Sequence, residues 1–267
     1  MGTTLRVGAL ISGGGTNLQA IIDACEQGRI QAHIAFVGSD NPGVFGLERA
    51  KKHGIPTFVV DYKAIIQQHR MTPEKTELPD DFDLEEIKGK QHLMHDVADE
   101  TRLAAFLKTR AAAEARLLDR IASHHVDLLV LAGFMRNLTP YFIDRFNTDP
   151  GRPRIMNIHP ALLPAFPGTD GYGDTFRYGC KVGGCTVHFI DYGEDSGPII
   201  GQKCFPITEE DTLDTIRKKG LELEWQLYPE CIQLYAQNRL HVVKQTHTLP
   251  SGEVRQRSVV RVVQTAL

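Results

Sequence analysis

The sequence has little of what marks a secreted or membrane-bound chain. It contains five cysteines, an odd number, and one tryptophan among 267 residues. The cysteines fit neither a disulfide framework nor a paired zinc-binding pattern, so small buried thiols and no bound metal are expected. No apolar run approaches the ~20 residues of a membrane helix, and the first residues lack the pattern of a signal peptide. We therefore predict a cytoplasmic protein with no membrane partner.

An excess of charge of one sign is also absent. The formal net charge is −3, which gives no basic field for binding a nucleic acid. A nucleic-acid partner such as tRNA is therefore not expected. Hydrophobic residues make up 42% of the chain, enough to bury the core of one α/β domain.

Short apolar runs alternate with amphipathic stretches along the chain. Such alternation predicts a parallel sheet with right-handed crossovers. The fold class is therefore α/β, a Rossmann-like open and mostly parallel sheet with helices on both faces. Strands are predicted at 5–11, 34–37, 57–60, 127–132, 154–158, 186–191 and 197–206, and helices at 18–25, 45–53, 100–123 and 213–225. The last helix is expected to end near Tyr228 and Pro229. Residues 1–240 are predicted to form one catalytic domain, with 241–267 as a C-terminal β-hairpin packed on it.

Residues 71–100 differ from the rest in composition. They contain ten Asp or Glu against three Lys or Arg, with two prolines and a broken apolar pattern. This composition predicts an exposed acidic insertion with at most one short helix. A functional lid is the alternative.

A glycine-rich turn lies between the first strand and the first helix. Ser12-Gly-Gly-Gly-Thr-Asn17 presents backbone N–H groups beside the positive end of a helix, an arrangement that favours a phosphate. It lacks the third glycine of a dinucleotide fingerprint, although Asp40 lies about where a ribose-binding acid would. A monophosphate site is predicted, with NAD binding or a purely structural turn as alternatives.

Asn157-Ile-His159-Pro160 is the strongest candidate for chemistry. Side chains two apart in a strand point to the same face, and ligands bind beyond the carboxyl ends of strands in open α/β sheets. An amide beside an imidazole can stabilise the oxyanion of an acyl transfer and move protons. Downstream, the acidic loop 191–198 contains Asp195, which could orient His159 or hold a water. Its two glycines predict mobility, and the alternative is a simple polar turn.

Together these stretches resemble the phosphoribosylglycinamide formyltransferases, a family of folate-dependent enzymes. The shared segments are 11–22, 45–50, 131–136, 157–164, 166–168, 187–189 and 195–199. The resemblance covers the chain to about residue 240, apart from 71–100. It implies transfer of a formyl group from 10-formyltetrahydrofolate, the co-substrate, to the amine of glycinamide ribonucleotide in purine biosynthesis. It further implies small-molecule partners only, and a monomer or homodimer.

The resemblance also implies a role for each matching residue. Asn157, His159 and Asp195 would be catalytic. Gly15, Thr16 and Asn17 would bind the substrate phosphate, and Glu224 its ribose or amine end. The folate would contact Arg110, Met135, Arg136, Leu138 and Ile190, with the two arginines at its glutamate tail.

Some positions depart from the family pattern. Residues 169–174 replace a His-containing run, Asn137 replaces an apolar residue at the pterin, and Leu221 replaces a polar residue near the phosphate. Other functions also stay open, among them a folate-dependent formyltransferase with a different phosphorylated amine acceptor. A formyltetrahydrofolate deformylase would use the same trio but normally has an extra N-terminal domain, and a methionyl-tRNA formyltransferase would need a larger C-terminal domain and a basic surface. A non-catalytic binding module would have no use for the trio.

Overall fold

The computed structural model describes residues 4–94 and 99–264. Its centre is a seven-stranded sheet in the order β3-β2-β1-β4-β5-β6-β7. The strands are β1 (Leu5–Ile11), β2 (Ala32–Ser39), β3 (Thr57–Val59), β4 (Leu128–Leu131), β5 (Ile155–His159), β6 (Val182–Phe189) and β7 (Ile199–Pro206). The first five are parallel, whereas β6 runs antiparallel to β5 and β7 antiparallel to β6. The predicted α/β class and the mostly parallel sheet are confirmed.

Helices cover both faces of this sheet. They are α1 (Thr16–Glu26), α2 (Phe45–Lys52), α3 (Tyr62–Met71), α4 (Leu84–Lys90), α5 (Glu100–Ala122), α6 (Pro140–Phe146), α7 (Gly171–Arg177) and α8 (Leu213–Ala236). Strand β1 shows how the layers form, because its side chains alternate between two cores. Val7 and Ile11 pack with α1 and α8, and Leu10 packs with α5 and α6 on the other face. Helices α3, α6 and α7 were not predicted.

The predicted end of the last helix is wrong. Helix α8 runs to Ala236, with Pro229 inside it. A proline removes one backbone hydrogen bond and is expected to break a helix. Here the residues beyond it, including Cys231, Ile232 and Tyr235, are buried in the same core as β1. Tertiary burial therefore outweighs the local cost of the proline.

The acidic segment is more closely packed than predicted. Its described residues contain one short α-helix, α4, within the predicted limit of one, and a 3-10 turn at Pro73–Lys75 for which no prediction was made. However, Ile87 of α4 is buried with Leu103 and Leu107 of α5. The segment is therefore not simply exposed.

A β-hairpin lies at the C-terminal end of the described residues. Strands β8 (Leu240–Thr248) and β9 (Val254–Val262) form a separate two-stranded antiparallel sheet. Val242 and Val260 pack against the core that contains β1. None of the described helices is both long enough and apolar enough to cross a membrane.

Candidate active site

A cleft of about 430 Å³ opens at the carboxyl ends of β1, β4 and β5. The loops after β4, β5 and β6 form most of its walls, together with Asn17 of α1 and Glu224 of α8. The carboxyl edge of an open α/β sheet is the usual position for a ligand. Nine predicted site residues line it: Asn17, Met135, Arg136, Leu138, Asn157, His159, Ile190, Asp195 and Glu224. The structure therefore brings the predicted catalytic trio together with both predicted substrate regions.

The amide of Asn157 is oriented by a histidine on the neighbouring strand. Asn157 lies opposite His188 in the β5–β6 register, and its Nδ2 is 3.3 Å from Nε2 of His188. The other ring nitrogen of His188 is 2.9 Å from the carbonyl oxygen of Phe189, to which it can donate. Nε2 also lies 3.6 Å from a carboxylate oxygen of Asp195, so His188 borders both the amide of Asn157 and this carboxylate. The second N–H of Asn157 is available to a ligand in the cleft.

The imidazole of His159 faces an oxygen at each nitrogen. Nε2 is 2.8 Å from the carbonyl oxygen of Phe166, and Nδ1 is 3.1 Å from a carboxylate oxygen of Asp195. Only the doubly protonated ring can donate to both. Burial nevertheless lowers the pKa of His159 below its ordinary value, although Asp195 and the Phe166 carbonyl oppose the shift. The resting ring is therefore neutral, in surroundings that favour a transient positive charge.

Asp195 lies in the loop 191–195 in an unusual backbone conformation. Its φ is 50°, in the left-handed region that non-glycine residues seldom adopt. Burial raises the pKa of its carboxyl, but contacts with His188 and His159 and the Gly168 amide, which donates at 2.8 Å, reverse the effect and leave the pKa lowered. Asp195 is therefore ionised at neutral pH.

Both glycines of the loop 191–198, Gly193 and Gly197, lie where an added side chain would meet neighbouring atoms. A side chain at Gly197 would meet the carbonyl oxygen of Phe189 at 1.9 Å. Asp191 closes the turn, because its carboxylate accepts hydrogen bonds from the Gly193 amide and from the hydroxyl of Ser196. Glycine is required at Gly197 for close backbone approach.

Glu224 forms a buried polar cluster at the other end of the cleft. One carboxylate oxygen accepts from Nδ2 of Asn17 at 2.6 Å and the other from the hydroxyl of Tyr172 at 2.6 Å. Burial raises the pKa of Glu224, and these two donors oppose the rise. Oδ1 of Asn17 is buried with no hydrogen-bond partner in the described chain, which leaves an acceptor for a ligand donor.

The glycine-rich turn packs against α2. Gly15 has a φ of 71° and caps α1, and a side chain on it would meet the backbone of Gly46 at 2.9 Å. The first amides of α1 have no intrahelical acceptor, as at any helix start. Thr16 is exposed there, whereas Asn17 points inward to the cleft. Gly15 and Thr16 do not line the cleft itself, so their phosphate role stays a prediction.

Apolar side chains form the wall beyond the trio. Leu138 and Ile190 lie beside Met135, a large apolar residue that is more than half exposed. Nε of Arg136 donates to Asp40 at 2.5 Å, which pairs the acid considered for ribose binding with an arginine instead. The rest of that guanidinium is available at the edge of the cleft.

Arg110 is the predicted folate residue that does not line the cleft. It is 9% exposed on α5, with its guanidinium over the rings of Tyr62 and Phe106. Burial lowers its pKa, and Nε and Nη1 have no hydrogen-bond partner in the described chain. A glutamate-tail contact would require this side chain to leave its present position.

Several site residues were not assigned a role from the sequence. His188 orients Asn157, Tyr172 donates to Glu224, and the Phe166 carbonyl and Gly168 amide contact the His159–Asp195 pair. Of these residues, only His188 was indicated by the sequence pattern, because it is a polar residue in the alternating run 186–191. No cluster of three His, Cys, Asp or Glu suited to a metal ion occurs among the described residues.

The family to which this chain belongs follows from its similarity to known proteins. A model described as "Formyl transferase" matches residues 5–232. The chain belongs to the formyl transferase family. The matched range includes the cleft residues from Asn17 to Glu224.

Within the formyl transferase family, the chain is similar to proteins of two lengths. It is 32% identical over 222 residues to the phosphoribosylglycinamide formyltransferase of Bacillus subtilis, covering 83% of this chain and 90% of that protein. It is 34% identical over 233 residues to the trifunctional purine biosynthetic protein adenosine-3 of Chironomus tentans, covering 86% of this chain but 14% of that protein. The chain thus matches a small part of the trifunctional protein.

A solved structure gives the same relationship. Glycinamide ribonucleotide transformylase 1 from Symbiobacterium toebii superimposes with a TM-score of 0.71 at 35% identity, covering 99% of this chain and 96% of that one. The Rossmann-like architecture is therefore that of a formyltransferase.

Proposed function

We propose that this chain transfers the formyl group of 10-formyltetrahydrofolate to the amine of glycinamide ribonucleotide. The observation that supports this most strongly is the position of Asn157, His159 and Asp195 in one cleft, between the Glu224 cluster and the apolar wall. The names of the relatives of matching length agree with it. Both substrates are small metabolites, which suits the predicted cytoplasmic location. A monomer or homodimer stays a prediction.

The Glu224 cluster is the proposed binding site for the acceptor. The carboxylate of Glu224 and the free Oδ1 of Asn17 offer acceptors to ribose hydroxyls or to the amine. The start of α1, with Gly15 and Thr16, would bind the phosphate through backbone N–H groups. Binding energy at the phosphate would then align the amine with the reacting carbon.

The apolar wall is the proposed binding site for the folate. Met135, Leu138 and Ile190 offer flat apolar contact for the pterin ring. Arg136, oriented by Asp40, offers the remaining donors of its guanidinium to a carboxylate of the glutamate tail. Arg110 would join it only after moving.

The proposed chemistry is an addition followed by an elimination. The amine nitrogen bonds to the formyl carbon, and the carbonyl oxygen becomes an oxyanion that the free N–H of Asn157 stabilises. The carbon–nitrogen bond to the folate then breaks. The proton lost by the amine passes to the leaving folate nitrogen. His159, with its two oxygen neighbours, favours the positive charge that arises while the proton is in transit.

Acceptor dependence is the direct test. Purified protein is mixed with 10-formyltetrahydrofolate, and release of the deformylated folate is followed with and without glycinamide ribonucleotide. We expect release only with the ribonucleotide, and a loss of about 100-fold to 1,000-fold in kcat for Asn157→Ala, the usual cost of one oxyanion donor.

The alternatives predict other results. Release that is equally fast without the ribonucleotide would identify a deformylase. Binding of both ligands without any release would identify a non-catalytic binding module.

A further inference from the structure

The end of the acidic segment contacts the loop that contains Asp195. We call residues 84–94 the brace. Nζ of Lys90 lies 2.8 Å from one carboxylate oxygen of Asp144 on α6, and the hydroxyl of Tyr192 donates to the other. The backbone N–H of His92 donates to the carbonyl of Tyr192 at 2.8 Å, and His92 pairs with Gly193 as a parallel bridge. The loop 191–195 is thus bonded to the brace directly through the backbone of His92 and Tyr192. It is also linked indirectly, because Tyr192 and Lys90 both contact Asp144.

The brace is itself well ordered by specific contacts. Ile87 is buried against α5. Gln91 is also buried, and its side-chain oxygen accepts from the amides of Leu93 and Met94 at 2.8 and 3.0 Å. This turn places Leu93 in the lining of the active-site cleft. A segment of acidic, loop-like composition therefore forms part of the cleft wall.

The loop needs such support because of its backbone. Asp195 has a φ of 50°, a conformation that costs free energy for a residue with a side chain. The contact from Asp195 to Nδ1 of His159 depends on that conformation. Other residues also contact the loop: the Gly168 amide donates to Asp195, and Nδ2 of Asn137 donates to Glu194 at 3.1 Å. Contacts from the brace therefore contribute to keeping the loop in place.

We propose that the brace orders the loop 191–195 and so positions Asp195 against His159, with Lys90 and Tyr192 as positioning residues that act through Asp144. This inference rests on the proposed formyl transfer for its kinetic consequence only. Neither residue is required to touch a substrate. Their effect is on the rate of the chemical step, because they determine where a catalytic carboxylate lies.

The test compares Lys90→Met and Tyr192→Phe with two matched variants. Lys90→Arg keeps the positive charge toward Asp144. Lys88→Met removes a lysine from the same helix that pairs instead with Glu100, away from the loop. Each full-length protein is assayed for kcat and for both KM values, and amide hydrogen exchange is measured over residues 191–197. Thermal melting confirms that each variant is folded.

We expect Lys90→Met and Tyr192→Phe to lower kcat by about 10-fold to 100-fold, the size of effect that follows a displacement of ~1 Å at a reacting group. Both KM values should change by less than about twofold. Exchange over 191–197 should become faster in these two variants and stay at the wild-type rate in Lys90→Arg and Lys88→Met.

The proposal is overturned if kcat and exchange match the wild type in both variants, or if only one of the two readouts changes. If the wild-type protein shows no formyl transfer, the proposed function fails by itself. Exchange over 191–197 then still decides whether the brace orders the loop.

Discussion

At the scale of single residues, the proposed chemistry depends on the protonation state of His159. Its ring lies between two oxygens but is buried, and burial lowers its pKa. The pKa of Asp195 is also lowered, so the pair is expected to rest as a neutral imidazole beside a carboxylate. Because the two groups interact, they titrate as a unit.

From the His159–Asp195 pair we predict an acidic limb in the pH dependence of kcat. A group with a lowered pKa becomes protonated only below its ordinary value, which for His159 is 6.5. With both substrates saturating, activity should therefore fall as the pH decreases, with a midpoint below 6.5. The residual activity of His159→Ala should lack this limb. A midpoint above 6.5, or an unchanged profile in the variant, would show that His159 does not titrate as described.

Tyr172 predicts a separate effect on the acceptor. Its hydroxyl donates to Glu224, and an intramolecular hydrogen bond is typically worth about 0.5–1.5 kcal/mol. Tyr172→Phe should raise the KM for glycinamide ribonucleotide by about tenfold and leave the KM for the folate unchanged. Tyr178→Phe is the matched control, because that side chain is 81% exposed and outside the cleft. Equal KM values in Tyr172→Phe and the control would exclude a role for Tyr172 in acceptor binding.

At the scale of elements, the residue that caps helix α6 is bonded to a buried carboxyl group. Glu114 of α5 accepts hydrogen bonds from the amide and the hydroxyl of Thr139, the residue that caps α6. Burial raises the pKa of Glu114 to about 8, and the bonds from Thr139 only partly offset this. The start of helix α6 therefore contacts a Glu114 carboxyl group that is largely protonated at neutral pH.

This arrangement makes stability depend on pH in a predictable direction. The folded-state pKa lies above the ordinary value of 4.5, so the stabilisation by the bound proton is complete below pH 4.5, declines as the pH rises and is lost above about 8. Glu114→Gln imitates the protonated group. Between acidic and alkaline pH, its free energy of unfolding should fall less than that of the wild type, by on the order of 3 kcal/mol. Denaturant unfolding at several pH values measures this. Parallel curves for both proteins would contradict the raised pKa.

Element patterns were predictable where the periodicity was strong. Strands β1, β4 and β5 and helix α5 lie close to their predicted ranges. Their apolar runs and amphipathic spacing depend only on residues that are near one another in the sequence. Helix α8 was predicted too short, because the burial of Ile232 and Tyr235 compensates for Pro229 and is not visible locally.

At the scale of the whole molecule, the sequence predicted which residues would meet but not all of their partners. Asn157 and His159 share a face of one strand, and the resemblance added Asp195 and Glu224. The contact of His188 with Asn157 depends on the register of two strands, and that of Tyr172 with Glu224 on the packing of α7 against α8. Such pairings are properties of the assembled fold.

The packing of the acidic segment also depends on the assembled fold. Its composition resembles a solvated loop, and nothing local indicates that Gln91 closes a turn or that Lys90 reaches Asp144. These contacts depend on the packing of α4 against α5 and α6. The division into a catalytic domain over 1–240 and a hairpin over 241–267 stays a prediction.

The most direct test of the account follows the formyl carbon itself. Protein is incubated with glycinamide ribonucleotide and 10-formyltetrahydrofolate labelled with ¹³C in the formyl group, and the products are identified by mass spectrometry and ¹³C NMR. The account predicts that the label appears on the amine of the ribonucleotide, and that Asn157→Ala and Asp195→Ala strongly slow its appearance. Label recovered as free formate, or transfer at the wild-type rate in both variants, would contradict it.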